Sequence, residues 1–169
     1  MEESMQVFVT DKAGAHDMVN RTGATFLISL LDPVDRLFLT DRLKKLKRLH
    51  LSCEDVLDAS DPHAPTRDQV DQLLAFGRQL PVDAVVVVHC FAGVSRSTAA
   101  AVALMAQELQ HQGHDDPVGE SLRRLLDQRP QSCPNPVISR FADELLRFDG
   151  NLHLACEEVA QKKLFKLMN

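Results

Sequence analysis

A single α/β domain with a four- or five-stranded, mainly parallel central sheet flanked by helices is the fold class this sequence predicts. Three observations carry it. Short apolar runs alternate with helical stretches through the first half of the chain; one of those runs, VVVVH at 85–89, is apolar almost throughout; and everything after it reads as helix. Such alternation builds parallel strands joined by crossover helices, and a strand with hardly a polar position belongs inside a sheet covered on both faces. The 169 residues fit one domain and suffice for a sizeable core.

Each element has its own signal. MQVFV (5–9) reads as a short buried strand, and AGAHDMVNRTG (13–23) as a helix closed by Gly23, since glycine accepts the left-handed residue that ends many helices. ATFLISLL (24–31) is a second strand and Leu49 to Cys53 a third candidate. The run DRLKKLKRLH (41–50), amphipathic through Leu43, Leu46 and Leu49, is expected as a solvated face. Thr66 followed by Gln69 is a capping-box signature for a helix with Val70, Leu73, Leu74 and Phe76 on one face, broken before Pro81. Beyond the 85–89 strand, helices are expected over Arg96–Gln110, Val118–Gln128, Pro136–Phe148 and Asn151–Leu167, divided by HQGHDDP, RPQSCPNP and DGN. No internal repeat, low-complexity tract or linker interrupts residues 1–169.

Composition excludes several classes. The longest apolar run, Ala99 to Ala106, is too short to cross a bilayer, and the acidic start MEESMQ lacks the positive charge of a signal peptide. A net charge of −5 argues against a general nucleic-acid binder while leaving room for a local anion pocket. Cys53, Cys90, Cys133 and Cys156 are widely spaced and form no C-x-x-C pair, so reduced thiols and a cytoplasmic setting are expected, rather than a zinc site or a disulfide framework. His111, His114, Asp115 and Asp116 fall in a helix-ending loop without ligand spacing, and neither a metal nor a cofactor is expected.

The informative stretch is HCFAGVSRS, residues 89–97, between the apolar strand and the next helix. A turn of this kind lies at the carboxyl edge of the sheet, where main-chain amides and a helix amino terminus form a nest for an anion. Cys90 at its start would feel the same field, which favours the nucleophilic thiolate. Arg96, five residues further on, can hold two oxygens of a phosphoryl group with its planar fork. Gly93 permits a turn that a side chain would obstruct, and Ser97 places a hydroxyl near the sulfur. The plain alternative for Cys90 is an inert buried thiol, and for His89 a satisfied core histidine.

HCFAGVSRS resembles the His-Cys, five residues, Arg, Ser/Thr signature of the cysteine-dependent protein tyrosine and dual-specificity phosphatases, and the strand before it and helix after it are the context such a motif requires. The resemblance runs more faintly from about Ala24 to Phe148, and small bacterial-type tyrosine phosphatase-like proteins are the nearest likeness. RLHLSCED is similar to the strand and acidic loop that carry the family's general acid, and LLDQRPQSCPNPVISRFADEL to its later helical pair. The chain divides accordingly into a signature loop (89–97), an acidic loop (53–65) and C-terminal helices (117–167).

The resemblance implies metal-free hydrolysis of a phosphate monoester in two steps. Cys90 would attack phosphorus to give a phosphocysteine, the amides of Phe91, Ala92, Gly93, Val94, Ser95 and Arg96 with the Arg96 guanidinium would hold the equatorial oxygens, and Ser97 would stabilise the departing thiolate. An aspartate would protonate the leaving oxygen and then activate water. Asp55 is the first candidate because it follows the strand-like HLSCE; Asp58 is second, by its spacing from Cys90; Asp61, before Pro62, fits a turn. His89 would support the loop. Asn135 resembles a residue that positions water or substrate in the family, and Cys53 the backdoor cysteine of some relatives, with ordinary burial as the competing reading. The expected partner is a phosphorylated protein, phosphotyrosine first, or a small phosphate ester, without nucleic acid or membrane insertion. A phosphate-binding module without turnover and a rhodanese-like sulfurtransferase are the alternatives.

Overall fold

The computed structural model describes residues 4–169. Its sheet has four strands, β1 (Gln6–Thr10), β2 (Phe26–Leu31), β3 (Lys47–Ser52) and β4 (Val85–His89). Their order is β1-β4-β2-β3, and each neighbouring pair is parallel. The last strand in the chain thus lies inside the sheet, between the first two. That place suits its sequence: Val86 and Val88 enter one apolar cluster, Val87 enters another on the opposite face, and all three are fully buried. In β2, Ile28 and Leu30 face one way and Leu27 the other, the two-residue period of a strand covered on both sides.

Seven helices cover the sheet among the described residues: α1 (Ala15–Thr22), α2 (Asp41–Lys44), α3 (Arg67–Arg78), α4 (Arg96–His111), α5 (Pro117–Gln128), α6 (Pro136–Leu146) and α7 (Asn151–Met168). The smaller face is closed by Val19 of α1 and Leu43 of α2, with Leu46 beside them. The larger face carries α3 to α7, and α4 runs through its middle, against β1, β2 and β4 on one side and α3, α5 and α6 on the other. An unbroken buried run from Ala99 to Ala106 makes this arrangement possible, because small side chains let a helix approach neighbours on every side. No helix among the described residues is long and apolar enough to cross a membrane.

Local signals are realised where expected. Gly23 closes α1 at φ 70°, and Thr66 and Gln69 form the reciprocal capping box of α3. The outer edge of β1 is closed by Gln128, whose side chain accepts from Val9 N at 3.0 Å and donates to Val7 O at 2.8 Å, blunting an edge open to pairing. The sheet stops at four strands and is wholly parallel. The run at 41–50 is not one solvated helical face: residues 41–44 form the short helix capped by Thr40, and from Lys47 the chain pairs with β2. Pairing with β2 and burial of Leu43 and Leu46 override the helical period, while Lys44, Lys45, Lys47 and Arg48 stay exposed.

Candidate functional site

Cys90 leaves the carboxyl end of β4, and six residues later α4 begins. Where the loop's carbonyls go determines its shape, because each peptide group turned outward through its oxygen presents its amide to the opposite side. Every carbonyl from Cys90 to Ser95 is taken. His89 Nδ1 donates to Cys90 O at 3.1 Å and Lys12 N to Phe91 O at 3.0 Å. Arg129 donates through Nη2 to Ala92 O at 3.3 Å and through Nε to Gly93 O at 2.6 Å. Cys133 N reaches Val94 O at 2.8 Å and Asn135 N reaches Ser95 O at 3.1 Å. The amides of Phe91, Ala92, Val94 and Ser95 have no protein acceptor among the described residues, and Gly93 N donates to Cys90 Sγ at 3.2 Å.

Gly93 is required here on two counts. Its φ is 67°, and a Cβ would stand 2.5 Å from Arg129 Nη2 and 2.6 Å from the backbone at Thr10 and Asp11. Beyond it the loop feeds α4, where Ser97 Oγ lies 3.1 Å from Cys90 Sγ and Thr98 Oγ1 donates to Val94 O at 2.7 Å. Arg96 is almost wholly buried. Its Nη1 donates to Asp32 Oδ1 and to Cys53 O, both at 2.6 Å, whereas its Nε is buried without a partner among the described residues. A buried guanidinium N–H left unpaired by the protein is uncommon, and it is free to meet an acceptor from outside the chain.

His89 has no exposed surface. Its Nδ1 donates to a carbonyl, and in the neutral ring, which its burial favours, Nε2 accepts from Ser29 Oγ at 2.6 Å. Burial holds its pKa below the ordinary histidine value. It therefore orients the end of β4 and the loop and contributes no positive charge to the sulfur. Burial likewise pushes the Cys53 thiol up to about 11 and that of Cys156 up to about 12. All four cysteines are free thiols.

Of the three aspartates in the acidic loop, the structure brings one to the cradle. Asp55 Oδ1 accepts from Ser95 Oγ at 2.6 Å and from Asn135 Nδ2 at 2.9 Å. Asp58 is exposed, and its bonds to the amide and hydroxyl of Ser60 hold its carboxyl below the usual carboxylate range. Asp61 accepts from His63 N within the same turn. Asn135, fully buried, is a joint: Nδ2 also holds Val56 O at 3.0 Å, Oδ1 caps α6 at Val137 N and Ile138 N, and its amide holds the loop at Ser95. Its side chain thereby ties Asp55 and the acidic loop to the start of α6.

Sequence reasoning missed Asp32, Lys12 and Arg129. Asp32 carried a signal, an acid directly after an apolar strand and so at the same sheet edge as Cys90. Arg129 lies in RPQSCPNP, read as a helix divider and as part of the later helical pair, with no role given to the arginine itself. The residues at 111–116 have local tasks: His114 Nδ1 accepts from Asp116 N, and Asp116 caps α5 at Gly119 N.

The sequence profile described as protein-tyrosine phosphatase matches residues 59–143. No curated protein matches the chain. Among solved structures it is similar to the Yvh1 phosphatase domain from Chaetomium thermophilum, at 19% identity and TM-score 0.61, over 90% of this chain and 95% of that one. Human DUSP28 is similar at 20% identity and TM-score 0.56, over 83% and 91%. DUSP15 is similar at 20% and 0.57, over 94% of each chain. At these identities the likeness is one of fold.

Proposed function

The chain belongs to the protein-tyrosine phosphatase family, and on that premise we propose that it hydrolyses phosphate monoesters through a phosphocysteine formed on Cys90. The observation that carries this reading is the capture of every loop carbonyl from residue 90 to 95, which leaves the amides of Phe91, Ala92, Val94 and Ser95 and the unpaired Arg96 Nε available to an anion beside Cys90 Sγ. Sulfur attacks phosphorus in line, the bond from phosphorus to the leaving oxygen breaks, and Asp55 gives that oxygen its proton. In the second step Asp55 takes a proton from water as the water attacks phosphorus, and sulfur leaves with Ser97 Oγ beside it. Arg96 and the amides of Phe91 to Ser95 hold the equatorial oxygens throughout, with little rearrangement because the dipoles are fixed beforehand. A phenolic leaving group, with a pKa of about 10, needs less help from an acid than an alcohol does, so protein phosphotyrosine is the proposed substrate class. The chemistry requires Cys90 reduced, which fits a cytoplasmic setting.

The purified protein should release phosphate from p-nitrophenyl phosphate without added metal. Cys90→Ser should abolish that turnover while still binding orthovanadate. Turnover that survives the substitution, or depends on a divalent cation, would sink the reading. One observation keeps a binding module in view: Asp55 Oδ1 is held by two donors, Ser95 and Asn135. Phosphopeptide binding by a parent protein that shows no hydrolysis would select that alternative. The family match leaves the sulfurtransferase reading without support.

A further inference from the structure

Next to Phe91 the sheet edge opens into a cleft of about 650 Å³ lined by Lys12, His16, Leu37, Phe38, Phe91 and Ala92. Its size is that of sites which enclose a small organic group. Two features define what it can hold. Phe38 and Phe91 are 78% and 62% exposed; Phe165 on α7 is comparably exposed at 70%, but of the three only Phe38 and Phe91 line this cleft. The polar groups around it are already matched. Lys12 pairs with Asp35, Asp11 Oδ1 accepts from Gly14 N at 2.6 Å, and the His16 ring meets Phe38 O at 2.9 Å. A second phosphate or a polyanionic headgroup would need unpaired cations, and the one ammonium in the lining has a carboxylate of its own.

The cleft is continuous with the cradle. Phe91 and Ala92 belong to both, Lys12 holds Phe91 O through its amide, and the segment bearing Leu37 and Phe38 begins at Asp32, the partner of Arg96. We propose that this cleft receives an apolar side chain lying close in sequence to the phosphorylated residue. The protein then selects phosphopeptides with an aromatic or branched aliphatic neighbour over those with an acidic one. The proposal rests on the cradle holding phosphate and assigns the flanking part of the same substrate.

The test measures binding to Cys90→Ser by fluorescence anisotropy, so that it does not depend on turnover. A single phenylalanine is walked through the positions flanking phosphotyrosine in one peptide series, with alanine and aspartate series as references. One register should bind about tenfold more tightly than its alanine counterpart, as burial of an aromatic side chain less the cost of ordering it implies. Phe38→Ala should erase that gain and leave the alanine series unchanged. Equal affinity across registers, a gain that survives Phe38→Ala, or tighter binding of a soluble phosphoinositide than of every peptide would overturn the assignment. So would a loss shared equally by all three series, which would put Phe38 against the phosphorylated residue itself. Failure of every peptide and of orthovanadate to bind would overturn the cradle as well, whereas alanine peptides that bind without a phenylalanine gain would overturn the cleft alone.

Discussion

Replacing Asp32 by alanine should slow turnover without touching any group that meets the substrate. Arg96 Nη1 has two acceptors, Asp32 Oδ1 and Cys53 O, each at 2.6 Å, and these fix the plane of the guanidinium. A charge-assisted hydrogen bond contributes about 1.5–3 kcal/mol. The Arg96 side chain is 5% exposed, but that of Asp32 is 44% exposed, so solvent screens the pair and about 1–2 kcal/mol is the appropriate range. If that energy maintains the orientation of Arg96 in the transition state, kcat/KM should fall roughly 5- to 30-fold. Asp32→Asn keeps an acceptor and loses the charge. It should retain most of kcat and bind orthovanadate more tightly than the parent, because a negative charge near the dianion has been removed. The assay is steady-state hydrolysis of p-nitrophenyl phosphate with vanadate inhibition, on the parent and both variants, alongside thermal melting to confirm folding. A folded Asp32→Ala variant with kcat/KM within twofold of the parent would refute the positioning argument. Equal vanadate affinity in parent and Asp32→Asn would refute its electrostatic half.

Asp55→Asn should lower kcat by about 10²- to 10⁴-fold on phosphotyrosyl peptide and less on p-nitrophenyl phosphate, whose leaving group is the better one; Asp58→Asn should change little, and the opposite ranking would move the acid role to Asp58. His89 supplies a pH prediction. Its folded pKa lies below the ordinary 6.5, so as pH falls through about 6.5 the unfolded chain takes up a proton that the native ring resists, and stability is lost towards the folded value. Denaturant midpoints compared at about pH 7.5 and pH 5.5 should therefore diverge less in His89→Gln than in the parent, and an equal divergence would remove His89 from the acid sensitivity. With thiols pushed up to about 11 and about 12, Cys53 and Cys156 should resist iodoacetamide at neutral pH in the native protein. Mass spectrometry of digests would expose an error if either were alkylated as fast as Cys133, which is only half-buried.

What could be read from the sequence had local causes. VVVVH reads as an inner strand because four successive valines leave neither face to water, Thr66 and Gln69 announce a helix by reciprocal capping, and the five residues between Cys90 and Arg96 match the loop that runs from β4 into α4. Which strands flank β4 was not legible, since a strand's own residues favour an inner or an edge place but not its neighbours, which depend on how the crossovers pack. The strand at Lys47 was hidden because its residues also suit a helical period, and only pairing with β2 decides between them. Arg129 and Asp32 were missed for a related reason. Their partners lie 36 and 64 positions away, so their meaning arises only when the carboxyl edge of the sheet is assembled. Asn135 resembles a residue that positions water or substrate and, between prolines, also suits a turn; that its side chain joins the acidic loop to the start of α6 depends on residues 79 and 80 positions away and could not be read locally.

Besides His89, the donors that shape the loop come from Lys12, before the second strand, and from Arg129, Cys133 and Asn135, between α5 and α6. Such a cradle is a tertiary object, absent from any fragment that holds only the strand, the loop and the helix. Loosening the connection between α5 and α6 should slacken the anion's grip before the sheet gives way. Conversely, a bound oxyanion ties the two halves of the molecule together, and saturating phosphate should raise the melting temperature in proportion to the logarithm of its concentration.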